Sequence, residues 1–254
     1  MGLFDSLTSS KHRRLILEVL SKSPRSLKEM GEITGISPPV ISRQLKKLSE
    51  LGLISKDGNC YSITDMGEIA YLAIEKFRRI VSAIEKDPEF WKIHDFSSIP
   101  DEFKLRIDEL GDYQILRSTK DVVLKHFKVF SSIYSESNIV RILSTVFFPT
   151  HPRMFVDISS RSDVEVILSE KALNALKRDY KNELDEYLNN GGKIYYNNEI
   201  HFTVITTEKA LCIGLFLSDG KYDTESGLLS FDRSAIEWGF DIYEYFKKRS
   251  VEYP

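Results

Sequence analysis

The chain has 254 residues, too many for one small module and suited to two domains. With 42% hydrophobic and 29% charged residues it has the composition of a globular protein, so disorder is not the default expectation. The net charge of −3 argues against a nucleic-acid partner only until the chain is divided. Residues 1–86 hold 14 Lys/Arg against 10 Asp/Glu, a net of +4, whereas 87–254 carry a net of −7. A basic amino-terminal piece on an acidic body is expected when one domain alone meets phosphate. Apolar runs such as 210–217 are far shorter than the ~20 residues that span a bilayer. Residues 1–10 lack the basic start and apolar stretch of a secretory signal. A cytoplasmic protein with no membrane partner is therefore expected. Cys60 and Cys212 have no ligand pattern around them, so neither a disulfide framework nor a zinc site is implied.

In chain order, Ser9 or Ser10 can cap a first helix whose Leu15, Ile16, Val19 and Leu20 share a face, and Ser23-Pro24-Arg25 ends it. Ser26 and Glu29 form the capping box of a second helix, which stops at Gly35. Ser37 caps the next helix, residues 38–51, with Pro38 in its first turn. Its apolar stripe is Ile41, Leu45 and Leu48, which leaves Pro39, Ser42, Arg43 and Lys46 on the opposite face. A helix, a glycine turn and a second helix with a polar, basic outer face is the arrangement that places a helix in the major groove. Strands around Ile54 and over 60–63 flank the turn Asp57-Gly58-Asn59 as a short wing. Thr64 or Asp65 then caps a helix to about Lys86.

The string from Ile36-Ser37-Pro38-Pro39 to Lys46-Lys47-Leu48, followed by Leu51-Gly52-Leu53-Ile54 and Tyr61-Ser62-Ile63-Thr64-Asp65-Met66-Gly67, resembles winged-helix regulators of the ArsR and MarR type. The resemblance covers residues 9–67 and implies double-stranded DNA as partner. By it, Ser42 and Arg43 are candidates for base-edge contact, and Lys46, Lys47 and Lys56 for phosphate, with Ser37 and Pro39 at the helix start. A metal sensor of that type would carry Cys or Asp/His ligands. The helix 38–51 has no Cys, His or Asp, and the helix 65–86 has no Cys or His.

Beyond Asp87-Pro88 the expected elements are a helix from 97 to 110 closed by Gly111, a strand at 113–116 and a helix capped by Thr119 to about Tyr134. A strand at 140–143, a helix after Pro149 or Pro152, a buried strand at 164–168, one long helix over 169–188 and a strand at 193–197 follow. Segments 202–206 and 210–217 read as a hairpin, and a closing helix runs to Lys248 with Ile236, Phe240, Tyr243 and Phe246 on one stripe. The fold class expected is thus a two-domain α+β and α/β chain. A winged helix fills 1–67, a connecting or dimerisation helix and linker fills 68–96, and an α/β body with a sheet covered on both sides fills 97–254.

Ile99-Pro100 through Glu109-Leu110-Gly111, and Ser218-Asp219-Gly220-Lys221-Tyr222-Asp223 through Trp238-Gly239-Phe240, are similar to archaeal regulators with the FilR1 (formerly DUF1724) domain. That resemblance implies an archaeal cytoplasmic regulator whose carboxy-terminal domain senses a signal or mediates assembly; the leading expectation for the chain is a homodimer that reads DNA half-sites with paired 38–51 helices. His201-Phe202-Thr203 with Glu208 loosely resembles the His-x-Lys-(x4)-Asp hairpin of phospholipase D-like proteins, but Thr203 stands where the lysine would be and Glu208 where the aspartate would be. Without the cation the phosphoryl charge loses its main stabilisation, so no enzyme is expected even on a shared fold. No glycine-rich phosphate loop, Gly-x-Ser-x-Gly or paired-histidine motif is present, and no cofactor is expected. For an unidentified small-molecule effector, Arg141, Arg153, Tyr196 and His201 are chosen by residue type among an aromatic-rich body that includes Trp91, Phe147, Phe148 and Trp238. The alternative is a catalytic or ligand-binding sensor whose winged helix docks protein partners.

Overall fold

The computed structural model describes residues 2–119, 124–146 and 148–254, so Phe147 and the residues just after Thr119 lie outside it. The chain divides into two compact units, Met1–Val81 and Ser82–Pro254.

In the first unit the elements are α1 (Leu3–Thr8), α2 (Lys11–Lys22), β1 (Arg25–Ser26), α3 (Leu27–Thr34), α4 (Pro38–Glu50), β2 (Ile54–Asp57) and β3 (Cys60–Ile63). They are followed by α5 (Asp65–Glu85). The start of α2 is fixed as expected, the Arg13 N–H donating to Ser10 Oγ. The capping box of α3 forms in both directions: the Ser26 N–H donates to Glu29 Oε2 at 2.8 Å and the Glu29 N–H to Ser26 Oγ at 3.3 Å. Gly35 ends α3 at φ 67, a left-handed conformation that costs glycine nothing. Ser37 takes the N-cap position of α4 without a side-chain bond. Ile41, Leu45 and Leu48 are all buried, packed with Ile16, Leu17 and Met30. The sheet order is β1-β3-β2, in which β1 is too short to show any periodicity in the sequence. Thr64 joins hairpin to helix: its Oγ1 donates to Gly52 O at 2.7 Å and accepts from the Gly67 N–H at 3.0 Å.

The second unit opens with α6 (Pro88–Ile93), β4 (His94–Asp95), α7 (Asp101–Lys104), a 3-10 turn (Ile107–Leu110) and β5 (Gln114–Arg117). Then come α8 (Lys125–Ser135), β6 (Ile139–Ser144), α9 (His151–Ser159), β7 (Asp163–Leu168), α10 (Glu170–Asp179), α11 (Lys181–Asn189) and β8 (Lys193–Tyr196). The remainder is β9 (Thr203–Thr207), β10 (Leu211–Gly214), β11 (Phe216–Leu217), β12 (Ser226–Ser230), α12 (Arg233–Lys247) and β13 (Val251–Glu252). Its main sheet has the order β13-β8-β7-β6-β9-β10-β12-β5. β6, β7 and β8 are parallel, and the other pairings are antiparallel. Both faces are covered. Val140, Ile142, Val164 and Val166 point into one core with side chains of α8 to α11, and Leu143, Ile167 and Leu211 point into another with α12. Strands buried on both faces read as near-continuous apolar runs, and 164–168 is apolar except for Glu165.

Three expectations need correction. The spacing of Leu173, Leu176, Tyr180, Leu184 and Tyr187 suits one helix, yet the chain breaks at Tyr180 (φ −139, ψ 42). α10 packs on β7 and α11 on α9, two partners that a straight helix could not reach together. The helix expected at 97–110 is α7 and the 3-10 turn instead, joined by i→i+3 bonds from the Arg106 N–H to Phe103 O and from the Glu109 N–H to Arg106 O, with Phe103 O also accepting from Trp238 Nε1 and Glu109 O from Ser234 Oγ. On α12 the buried residues are Ala235, Trp238, Gly239, Ile242, Tyr243 and Phe246, so the stripe is rotated from the one expected, with Ile236 and Phe240 only half-buried. Asp232 occupies its N-cap position but accepts from the Asp112 N–H instead. β12 was missed altogether, since Ser-Gly-Leu-Leu-Ser shows neither alternation nor β-branched residues.

Candidate nucleic-acid interface

α4 follows the Gly35 turn and is held by its buried stripe, so the rest of its circumference faces outward. Ser37, Pro39, Ser42, Arg43 and Lys46 are exposed. Among the described residues Arg43 and Lys46 have no ion pair and no side-chain hydrogen bond. Several other cations of this unit are engaged: Lys22 faces Glu18 at 3.6 Å, Lys28 faces Glu32 at 3.9 Å, and Lys47, half-buried, faces Glu50 at 3.6 Å. Arg13 and Arg14 are spent on main-chain carbonyls at the end of α1. Lys56, on the hairpin, lies over the Tyr61 ring at 5.5 Å. Two unpaired cations and a hydroxyl on one exposed helical face form a surface that can accept phosphate oxygens and base edges.

In the second unit the effector candidates are not brought together. Arg141 lies on the α12 side of the sheet, its guanidinium on Asp163 at 2.6 Å and on buried Glu165 at 3.7 Å. Burial would lower its pKa, but those carboxylates raise it, so it is a fixed structural cation. Arg153 is on α9, on the opposite face, paired with Asp157 at 2.9 Å and Glu186 at 3.2 Å. Tyr196 ends β8 opposite Leu168 and Val251. His201 stacks on Phe216 with ring centres 3.8 Å apart. Thr203 is hydrogen-bonded to Ser144 at 2.8 Å, and Glu208 accepts from the Asn138 and Ile139 N–H groups at 2.9 and 3.1 Å. Both therefore stabilise the ends of neighbouring strands.

What residue type did not reveal is a cavity of about 360 Å³ between α8 and α9, with Phe127, Ser131, Tyr134, Phe148, His151 and Met154 in its wall. The motif Ser218 to Asp223 also has a structural purpose. Buried Asp223 accepts from His94 Nε2 at 3.0 Å, from the Glu225 N–H at 2.7 Å and from Ser226 Oγ. Burial would raise its pKa, yet these donors hold it at about 2. Among the described residues no three His, Cys, Asp or Glu side chains gather as a metal site, and no helix is long and apolar enough to cross a membrane.

Residues 3–86 match the HVO_A0261 N-terminal domain, and residues 124–249 match the middle domain of the methanogenesis regulatory protein FilR1. The methanogenesis regulatory protein FilR1 of Methanothrix harundinacea (strain 6Ac) is 26% identical over 251 residues, covering 96% of this chain and 56% of that protein. The chain thus spans just over half the length of this relative, and the FilR1 domain that the sequence suggested as carboxy-terminal corresponds to a middle domain there. Among solved structures, TrmBL2, described as an archaeal chromatin protein with a novel mode of DNA binding, has a TM-score of 0.46 at 11% identity, over 96% of this chain and 94% of that one. NucT from Helicobacter pylori has a TM-score of 0.46 at 16% identity, over 56% of this chain and 99% of that one. Scores of this size assign neither fold nor function. By the domain match, residues 124–249 of the chain are similar to the FilR1 middle domain, and residues 3–86 to the HVO_A0261 N-terminal domain.

Proposed function

We propose that this chain is a DNA-binding transcriptional regulator. In this reading residues 1–67 are a winged helix-turn-helix whose α4 enters the major groove, 68–96 connect and dimerise, and 97–254 receive the signal. The observation that carries it is the outer face of α4, where Arg43 and Lys46 stand exposed and unpaired beside Ser42 while the inner stripe is wholly buried. The name of the relative, a methanogenesis regulatory protein, supports a regulatory rather than catalytic task. Arg43 would read guanine edges, and Lys46, Lys56 and in lesser degree Lys47 would bind phosphate. The short wing serves affinity more than sequence choice.

An exposed apolar face on α5 supports the same reading. On α5, Met66, Ile69, Leu72 and Phe77 are 48%, 70%, 58% and 52% exposed, an apolar surface unusual for a helix left alone in water. A second copy placed against it would set two α4 helices on half-sites about one DNA turn apart. Fluorescence anisotropy of the full chain on DNA from upstream of its own coding region, against an unrelated duplex, tests the reading. Specific binding lost on Arg43→Ala supports it, and equal binding of both proteins to both duplexes refutes it.

A further inference from the structure

The cavity between α8 and α9 has the volume of a small-molecule site, which ordinarily measures ~300–1,000 Å³. Its wall is mainly apolar, with rings supplied by Phe127, Tyr134, Phe148 and His151. Phe127 and Phe148 meet edge to face with centres 4.3 Å apart, and Phe148 meets His151 at 5.2 Å. Among the described lining residues only Lys128 is charged, and it is exposed to solvent. An ionic ligand would lose hydration in such a wall without repayment.

His151 sets the polar requirement. Its Nδ1 accepts from the Phe148 N–H at 3.4 Å, which in the neutral ring leaves Nε2–H as a donor. Burial holds its pKa down at about 4, so the neutral ring persists at physiological pH. A second feature sits one layer behind. His126 is fully buried with no hydrogen-bond partner for either ring nitrogen, and its ring lies against Phe127 at 4.1 Å. An unsatisfied buried group costs ~1–3 kcal/mol, so this wall is not arranged for stability alone.

From this geometry we propose that the cavity binds an uncharged, compact aromatic or alicyclic molecule carrying one hydrogen-bond acceptor, which His151 Nε2–H engages. The site is distinct from Arg141, Arg153, Tyr196 and His201, and it goes beyond the DNA reading without depending on it. It would make the second unit the receiver of an apolar metabolite.

The test uses the full chain and two fluorescent probes. One is 6-propionyl-2-dimethylaminonaphthalene, neutral with a carbonyl acceptor, and the other is N-phenyl-1-naphthylamine, which has no carbonyl. The first probe should bind saturably, one per chain. Ser131→Phe and, independently, Met154→Trp, which fill the cavity, should each weaken it at least tenfold with the circular dichroism spectrum unchanged. His151→Phe should weaken the carbonyl probe about tenfold while changing the naphthylamine less than threefold. Absence of saturable binding, or binding indifferent to both filling variants, overturns the site. Equal losses for both probes in His151→Phe overturn the acceptor assignment.

Discussion

Asp223 fastens two segments of the second unit, holding the His94 ring after α6 and the main chain that enters β12. Its carboxyl is held below its ordinary 3.8, at about 2, so the charged form is favoured in the folded state. The stability it supplies is therefore complete above pH ~4 and is lost as pH falls through about 2. Acid titration followed by near-ultraviolet circular dichroism should show the second unit loosening in that window. Asp223→Ala should remove the sensitivity and cost about 3–5 kcal/mol, read by urea unfolding at pH 7. Glu165 is a second such residue, 3% exposed and facing Lys247, Tyr243 and Lys193 as well as Arg141. It explains why an arginine that residue type marks as a ligand group is already engaged. Lys46→Ala should weaken binding to all duplexes alike and reduce the salt slope by about 1, while Lys47→Ala, paired with Glu50, should do less.

At the scale of elements, what held in the sequence was whatever is specified locally. The capping box at Ser26, the left-handed Gly35 and the Ile41, Leu45, Leu48 stripe are set by neighbours within one or two turns, and each appears where its spacing placed it. The split of α10 from α11, the short α7 and β12 depend on partners far along the chain, which spacing does not register. The candidate site divides in the same way. The outer face of α4 could be read from helical period, whereas the cavity of Phe127, Phe148 and His151 exists only once α8 and α9 are side by side. Two glycines in the quoted motifs are there for space. A Cβ on Gly67 would lie 2.0 Å from Leu53 O, and one on Gly239 would lie 2.6 Å from Leu211 Cδ1. Gly67→Ala should push α5 off the hairpin and destabilise the first unit by on the order of 3 kcal/mol, visible as a lowered melting temperature.

On the scale of the whole molecule, charge is divided as the structure is. Residues 1–81 hold 13 Lys/Arg against 9 Asp/Glu, and 82–254 hold 22 against 29. In the proposed reading, a basic unit in a chain whose other unit is acidic would be the one drawn to DNA phosphate. The exposed apolar residues of α5 are the contact proposed for a second copy of the chain. Ile69→Glu should convert a dimer to a monomer in analytical ultracentrifugation and weaken operator binding, leaving the fold intact because Ile69 is 70% exposed. The most direct test of the account is anisotropy of the full chain on its upstream duplex across a series of salt concentrations. The account predicts a log–log slope that is clearly negative, flatter by about one charge for Lys46→Ala, and a preference over unrelated DNA that falls roughly tenfold or more for Arg43→Ala. Binding that ignores salt and both substitutions would contradict it.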